Sequence, residues 1–346
     1  MIESYGVTVE VLTGLHIRAG NLPLKAEWDF VVDRDRVFVL NLDAVYDRLW
    51  RGGAQIPRPG ELLRGRRPEP FARYILESFG QRPQGWSDEL WPVVRDPVTA
   101  QPLIPGSSLK GLIRTAVAWA LYAGPLALGP EAKQADDELE AGMFGREAHS
   151  DVLRALRLSD FSLAGECRQW AAPVELYTLN SARRLQARPE RRPGVVEVVG
   201  AGAVFKGQLS LDLGLMGQAD RLGFNRRALE ALRNWPQILG QFGRQLLNFQ
   251  VRFYQDGGLP QVAGRLKALE AYQGIVACLG WGGGWPSKTI GLKLTPQRVQ
   301  EVAQKYKLQR WQSPHFPNRF PISRRLVRLP DGPVPLGWIG LKVGVG

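Results

Sequence analysis

Residues 104–121, IPGSSLKGLIRTAVAWAL, constrain the fold more than any other part of the chain. Leu109, Leu112, Ile113, Ala116, Val117, Ala120 and Leu121 recur at helical spacing and form one apolar stripe. A stripe of that length must be buried against a second layer of structure. Pro105 and Gly106 make the turn into the helix, Ser107 or Ser108 is placed to cap it, and Gly124–Pro125 stops it.

Two cations disturb this local logic. Lys110 stands in the first turn, where the helix dipole disfavours positive charge, and Arg114 follows one turn later. Like charges at i, i+4 repel by roughly 0.2–0.5 kcal/mol. Both lie off the stripe, beside Ser107. The free N–H groups of a first helical turn make an anion site, and a phosphate there would relieve the conflict. A capped helix with two solvated cations fits the same residues. A P-loop does not, because Leu109 stands where that motif needs glycine before its lysine.

The whole chain is also cationic. Its 346 residues carry 45 Lys and Arg against 33 Asp and Glu, a net charge of +12, which implies an anionic partner, most often nucleic acid. Two distant cysteines, Cys167 and Cys278, form neither a disulfide framework nor a zinc site, and point to a reducing cytoplasm. No apolar run is long enough to span a membrane, and the first residues do not read as a signal peptide.

Along the chain, residues 7–17 alternate as a strand with Val7, Val9, Val11, Leu15 and Ile17 buried, which puts His16 and Arg18 together on the opposite face. WDFVVDRDRVFVL is a hairpin turning at 33–36, and Asn41 caps a short helix through LDAVYDRLW. Residues 52–106, rich in Gly, Pro and Arg, read mostly as irregular surface chain. Residues 126–150 read as a helical insertion. LRLSDFSL, VELYTL and VVEVVGAGAVFKGQLSLDLG read as strands. Residues 225–255 are helical but interrupted by Pro236, and a further helix covers 263–279. GWGGGWPSKTIGLKL then forms a glycine loop entering a strand in which Ile290, Leu292 and Leu294 face inward. From residue 301 the chain carries eight basic and two acidic residues and closes on a strand, LGWIGLKV. Helices and strands mix without strict alternation, which predicts an α+β fold.

Three further groups carry chemistry. In the glycine loop, the glycines allow close backbone approach, Trp281 and Trp285 suit base stacking, and Lys288 suits a phosphate; inward-packed tryptophans in a plain connection fit equally well. The loop departs from a dinucleotide fingerprint, since Trp285 stands where glycine is needed. The segment 181–194 holds five arginines, Arg183 and Arg184 among them, with one acid, and reads either as a grip on a phosphate backbone or as a solvated excursion. His16 has no Asp or second His at a readable spacing, and no HExxH, GxSxG or paired-Cys motif occurs.

The order of VLTGLHIRAG, PGSSLKGLIRTA, a strand containing SD, GAVFKGQLSLD and a glycine-rich loop resembles the RAMP proteins of CRISPR effector complexes. GGGWPSKTIG, FPISRRLV and PLGWIGLKV look most like the terminal RAMP subunit of type III-A Csm complexes. The resemblance implies RRM-like (ferredoxin-like) folds, one in each half, divided as 1–215 and 216–346, and no cofactor or metal. It implies a non-catalytic, cytoplasmic subunit that caps the 3′ region of the guide RNA beside a backbone RAMP subunit and a small helical subunit. RNA contacts would come from His16, Arg18, Gly106, Ser107, Ser108, Lys110, Arg114, Arg183, Arg184, Gly282, Gly283, Gly284, Lys288, Arg324 and Arg325. Asp29 and Asp33 lie in a region comparable to the cleaving loop of the backbone subunit, but Asp33 falls in the hairpin turn and the role is not carried over. The competing reading is a metal-independent endoribonuclease of the same superfamily, with His16 as acid or base.

Overall fold

The chain folds around the strand Ile2–Val11, whose Val7, Val9 and Val11 all point to one buried side. The computed structural model describes residues 1–78, 88–124, 128–135, 137–188, 194–308 and 320–345. Ile2–Val11 is central in a sheet ordered Ile275–Cys278, Trp338–Val345, Ile2–Val11, Val204–Asp212, Phe161–Leu163 and Leu103–Ile104, with Leu156–Leu158 also paired to Val204–Asp212. Two helices cover one face. Leu109, Ile113 and Val117 of Gly106–Leu121, with Leu239 and Phe242 of Trp235–Asp256, share a core with Val9, Phe205, Leu209 and Ile339. Each fully buried side chain of this kind stabilises the fold by about 1.5–3 kcal/mol.

In chain order, and leaving aside the edge strands Leu103–Ile104 and Ile275–Cys278, these elements are strand, helix, strands at 156–163, strand, helix, strand: the ferredoxin-like order, and an α+β fold as expected. Strand pairing crosses the division at residue 215. Trp338–Val345 pairs antiparallel along Ile2–Val11, from Tyr5↔Val345 to Val11↔Ile339. One ferredoxin-like unit therefore draws strands from both sides of that boundary, and the rest of the chain is inserted between its elements.

Among the described residues the inserted strands build a second sheet of eleven strands, with a main path along Leu24–Lys25, Glu89–Trp91, Val195–Gly200, Gln169–Leu179, Ala72–Ser78, Arg36–Leu40 and Phe30–Asp33. Its two ends are bridged between Ala26 and Phe30, so the sheet curls round a core of Phe30, Val37, Val39, Leu76, Leu90, Ala171 and Val195. Ser323–Leu329 pairs onto Gln169–Leu179 and turns Leu326 towards Leu246 and Phe253 of the long helix, which joins the two sheets.

Several local readings hold: the hairpin at 33–36, the Asn41 cap on Leu42–Leu49, and the closing strand. Others change. Residues 52–106 contain the strand Ala72–Ser78. Pro236 opens Trp235–Asp256 rather than interrupting it, because a first-turn N–H has no helical partner to lose. The helix expected over 263–279 stops at Pro260–Lys267 and a one-turn 268–271 segment, and Ile275–Cys278 is a strand. Beyond the glycine loop there is no strand at 290–294 but the short helical turns Trp285–Lys288 and Gly291–Lys293. The insertion at 126–150 carries the helix Asp137–Phe144; residues 126, 127 and 136, like His315 and 189–193 of the arginine segment, lie outside the described residues. Among the described residues no helix is long and apolar enough to cross a membrane.

Candidate nucleic-acid interface

The start of Gly106–Leu121 sits against the 156–163 strands. No side chain caps it: Pro105 is the cap residue, and the Gly106 N–H donates to the Asp160 carboxylate at 2.8 Å. Ser107 and Ser108 are thus helical residues, not caps. A Cβ at Gly106 would stand 2.5 Å from the Ser159 carbonyl oxygen, so only glycine lets the helix start this close to the strand. Asp160 is the functional partner that the sequence reading passed over, although the polar Ser-Asp break in LRLSDFSL marks it.

The two awkward cations have internal partners. Lys110 Nζ donates to the Leu156 carbonyl at 2.9 Å; burial pulls its pKa below the ordinary value, Asp151 opposes that and Arg114 adds to it. Arg114 donates to Glu140 at 2.6 Å and to Asp151 at 3.0 Å, and its guanidinium lies 4.2 Å from the centre of the Phe144 ring. Burial alone would lower its pKa, but the hydrogen bonds and charges of Glu140 and Asp151 outweigh it and the net shift is upward. The expected phosphate is therefore not needed to explain either charge. Arg114 staples the core helix to the 137–144 insertion.

The glycine loop follows a strand, not a helix, and is held from behind. Gly280 turns with φ +77°, and a Cβ there would meet the His16 carbonyl oxygen at 2.6 Å. The same His16 carbonyl accepts the Trp281 N–H at 2.8 Å, and Gln250, buried in the long helix, donates to the Gly283 carbonyl at 3.2 Å. Ser287 Oγ closes the loop onto Gly284 O at 2.9 Å. Both tryptophans pack rather than project: Trp281 edge-on to His16 at 5.8 Å, Trp285 edge-on to Phe320 at 5.2 Å.

His16 is not on an open face with Arg18. It is 1% exposed, and its Nδ1 donates to the Glu197 carbonyl at 2.8 Å. Burial is the main reason its pKa falls to about 4, so the ring is neutral near pH 7. Arg18 is exposed and stacks 3.6 Å over the Trp91 ring. Beneath them lies an ion pair that the sequence reading missed. Glu197, also 1% exposed, accepts from Arg95 at 2.9 Å, the Tyr74 hydroxyl at 2.7 Å and the Val93 N–H at 3.0 Å. A lone carboxylate in VVEVV was the available signal, since a charge amid buried β residues must find a partner.

Arg324 and Arg325 separate. On Ser323–Leu329 alternate residues face opposite ways: Arg325 pairs with Leu176, Arg324 with Tyr177. Arg324 is 3% exposed, stacks 3.9 Å from the Phe253 ring and donates to the Pro321 and Ser323 carbonyls, with burial lowering its pKa to about 10. Its guanidinium is therefore turned inward, although Arg324 still lines the smaller of the two cavities described next. Arg183 and Arg184 are exposed on a tight turn, where Leu185 N–H donates to Gly257 at the end of the long helix. They line neither of the cavities described next.

What the fold brings together is a cleft centred on Lys288, which is exposed. On one side, about 310 Å³ is lined by Ser108, Gly111, Thr115, Gly280, Ser287 and Lys288. On the other, about 210 Å³ is lined by Leu176, Trp281, Gly282, Gly284, Lys288, Ser323, Arg324 and Arg325. A glycine-rich wall, the hydroxyls of Ser108 and Ser323 and two exposed cations, Lys288 and Arg325, on a concave surface suit a chain of phosphates.

A family model described as the RAMP superfamily matches residues 8–285. The chain belongs to the RAMP superfamily. Among solved structures, it is similar to a chain of the cryo-EM structure of a Csm–crRNA–target RNA ternary complex in a type III-A CRISPR–Cas system, at 24% identity over 99% of this chain and 100% of that one, with a TM-score of 0.74. It is also similar to the crystal structure of T. onnurineus Csm5, at 23% identity over 96% and 99%, with a TM-score of 0.64. No curated protein matches it. This RAMP protein shares their fold from end to end.

Proposed function

We propose that this RAMP protein is a guide-RNA-binding subunit of a type III-A Csm-type effector complex, seated at the filament end where it caps the 3′ region of the guide. The observation that carries the reading is the Lys288 cleft, in which the glycine loop, the start of the core helix and Arg325 meet on a RAMP fold. The matching of full lengths with a chain of a Csm–crRNA complex supports the choice of assembly. A neighbouring backbone RAMP subunit and a small helical subunit complete the proposed partners.

We read the subunit as non-catalytic. A general acid or base has to reach the RNA, and His16 is sealed behind the glycine loop, neutral and committed to the Glu197 carbonyl. His149 is exposed and sits 3.3 Å from Glu147. The Asp29 carboxylate accepts the Lys25 N–H at 2.7 Å, and Asp33 pairs with Arg36 across the hairpin. The test is the guide population in cells lacking the chain: the rest of the complex should form, with guides carrying longer, untrimmed 3′ ends. An unchanged 3′ distribution rejects the capping role.

A further inference from the structure

We propose that the arginine-rich lobe at residues 48–67 is a second contact for single-stranded RNA, separate from the Lys288 cleft, with Trp28 stacking one base. The inference rests on the reading of the chain as an RNA-binding subunit and adds a second surface to it.

The lobe is cationic beyond any need of the fold. RLWRGGAQIPRPGELLRGRR holds Arg48, Arg51, Arg58, Arg64, Arg66 and Arg67, one acid and no lysine. All six arginines are exposed. None makes an ion pair among the described residues. The one acid, Glu61, accepts the Arg58 backbone N–H at 3.2 Å. Unpaired like charges at this density repel, and a bound polyanion would relieve that repulsion.

The charges also stand on a fixed base. Val45 of Leu42–Leu49 is buried with Leu40 and Leu63. Tyr46 donates to the Pro57 carbonyl at 3.0 Å, and the Gly60 N–H donates to Glu27 at 3.0 Å. That last contact carries the lobe to Trp28, which is 44% exposed with the Arg58 guanidinium 5.6 Å from its ring centre.

The chemistry favours RNA over an acidic protein. Every cation is a guanidinium, whose planar fork fits a phosphate bidentately. The large apolar side chains exposed on the lobe and on the Leu42–Leu49 helix beneath it are Trp28, Ile56 and Leu42, a small patch for the core of a protein interface but enough for a base.

The test uses the full chain and a fluorescein-labelled oligouridylate, titrated over a salt series. Removing three contacts with Arg64→Ala, Arg66→Ala and Arg67→Ala should weaken binding and flatten the slope of log K against log salt by about 2, at about 0.7 per phosphate contact. Trp28→Ala should cost about tenfold in affinity with the slope unchanged, and Trp28→Phe should restore most of it. Thermal melts confirm that each variant is folded. If the lobe variants keep wild-type affinity and slope while Lys288→Glu with Arg325→Glu loses binding, the lobe proposal is overturned and the RNA-binding reading stands. Lobe variants that bind RNA normally but no longer copurify with other subunits overturn it in favour of a protein partner. If the wild-type chain does not bind RNA, both readings fall.

Discussion

Glu197→Ala is the sharpest test of how this fold is held together. The carboxylate is 1% exposed and its partner Arg95 is 9% exposed. Removing it strands a buried guanidinium, which also stacks 3.6 Å over Tyr74 and donates to the Ala100 carbonyl. It also leaves the Tyr74 hydroxyl and the Val93 N–H without their acceptor. Breaking a buried pair from one side costs about 3–5 kcal/mol. Against an unfolding entropy of about 2.1 cal/mol/K per residue, the 346 residues give about 0.7 kcal/mol/K, so Tm should fall by about 4–7 °C. The His16 hydrogen bond uses the backbone carbonyl of Glu197 and survives the change. A urea titration of wild type, Glu197→Ala and the double variant Glu197→Leu/Arg95→Met reads the effect. The double variant should recover part of the loss, because no unpaired charge remains while the Tyr74 hydroxyl and Val93 N–H still lack their acceptor. A single variant within about 1 kcal/mol of wild type, or a double variant less stable than the single one, would refute the reasoning.

Two further outcomes follow from buried or paired groups. Arg114→Ala should destabilise the chain by about 1–2 kcal/mol, mostly by releasing the 137–144 insertion, and leave RNA affinity nearly unchanged; hydrogen exchange confined to that insertion, with a parallel RNA titration, checks it. His16 titrates at about 4 folded and near 6.5 unfolded, so the unfolded chain binds the extra proton between those values. Stability from this group is complete above pH 6.5 and lost as pH falls towards 4, by about 2 kcal/mol at pH 5. His16→Asn should flatten the wild-type difference between urea melts at pH 7 and pH 5.

Local pattern made much of this fold legible. Val7, Val9 and Val11 announce their strand, and the stripe from Leu109 to Leu121 announces its helix, because period and burial are set by neighbours in sequence. The end-to-end pairing of Ile2–Val11 with Trp338–Val345 depends on a contact more than three hundred residues away, which no local pattern encodes. The short apolar run IVAC continues a helical pattern as readily as it makes a strand, so its pattern does not mark where the helix ends. The site was legible by segment but not by side chain. The glycine loop, Ser108, Lys288 and Arg325 do converge, whereas only strand parity separates the buried Arg324 from the exposed Arg325, and the partners of Lys110 and Arg114, namely Leu156, Asp151 and Glu140, lie 26 to 46 residues away.

The central claim, that the Lys288 cleft holds the 3′ region of the guide, is tested most directly in cells whose only copy of the chain carries Lys288→Glu and Arg325→Glu. Both side chains line the cleft, and a thermal melt shows whether the variant is folded. Guides copurified with the complex would be sequenced at both ends. The account predicts normal 5′ ends with lengthened, heterogeneous 3′ ends. Wild-type 3′ ends in a folded, incorporated variant, or a change confined to the 5′ ends, would contradict it.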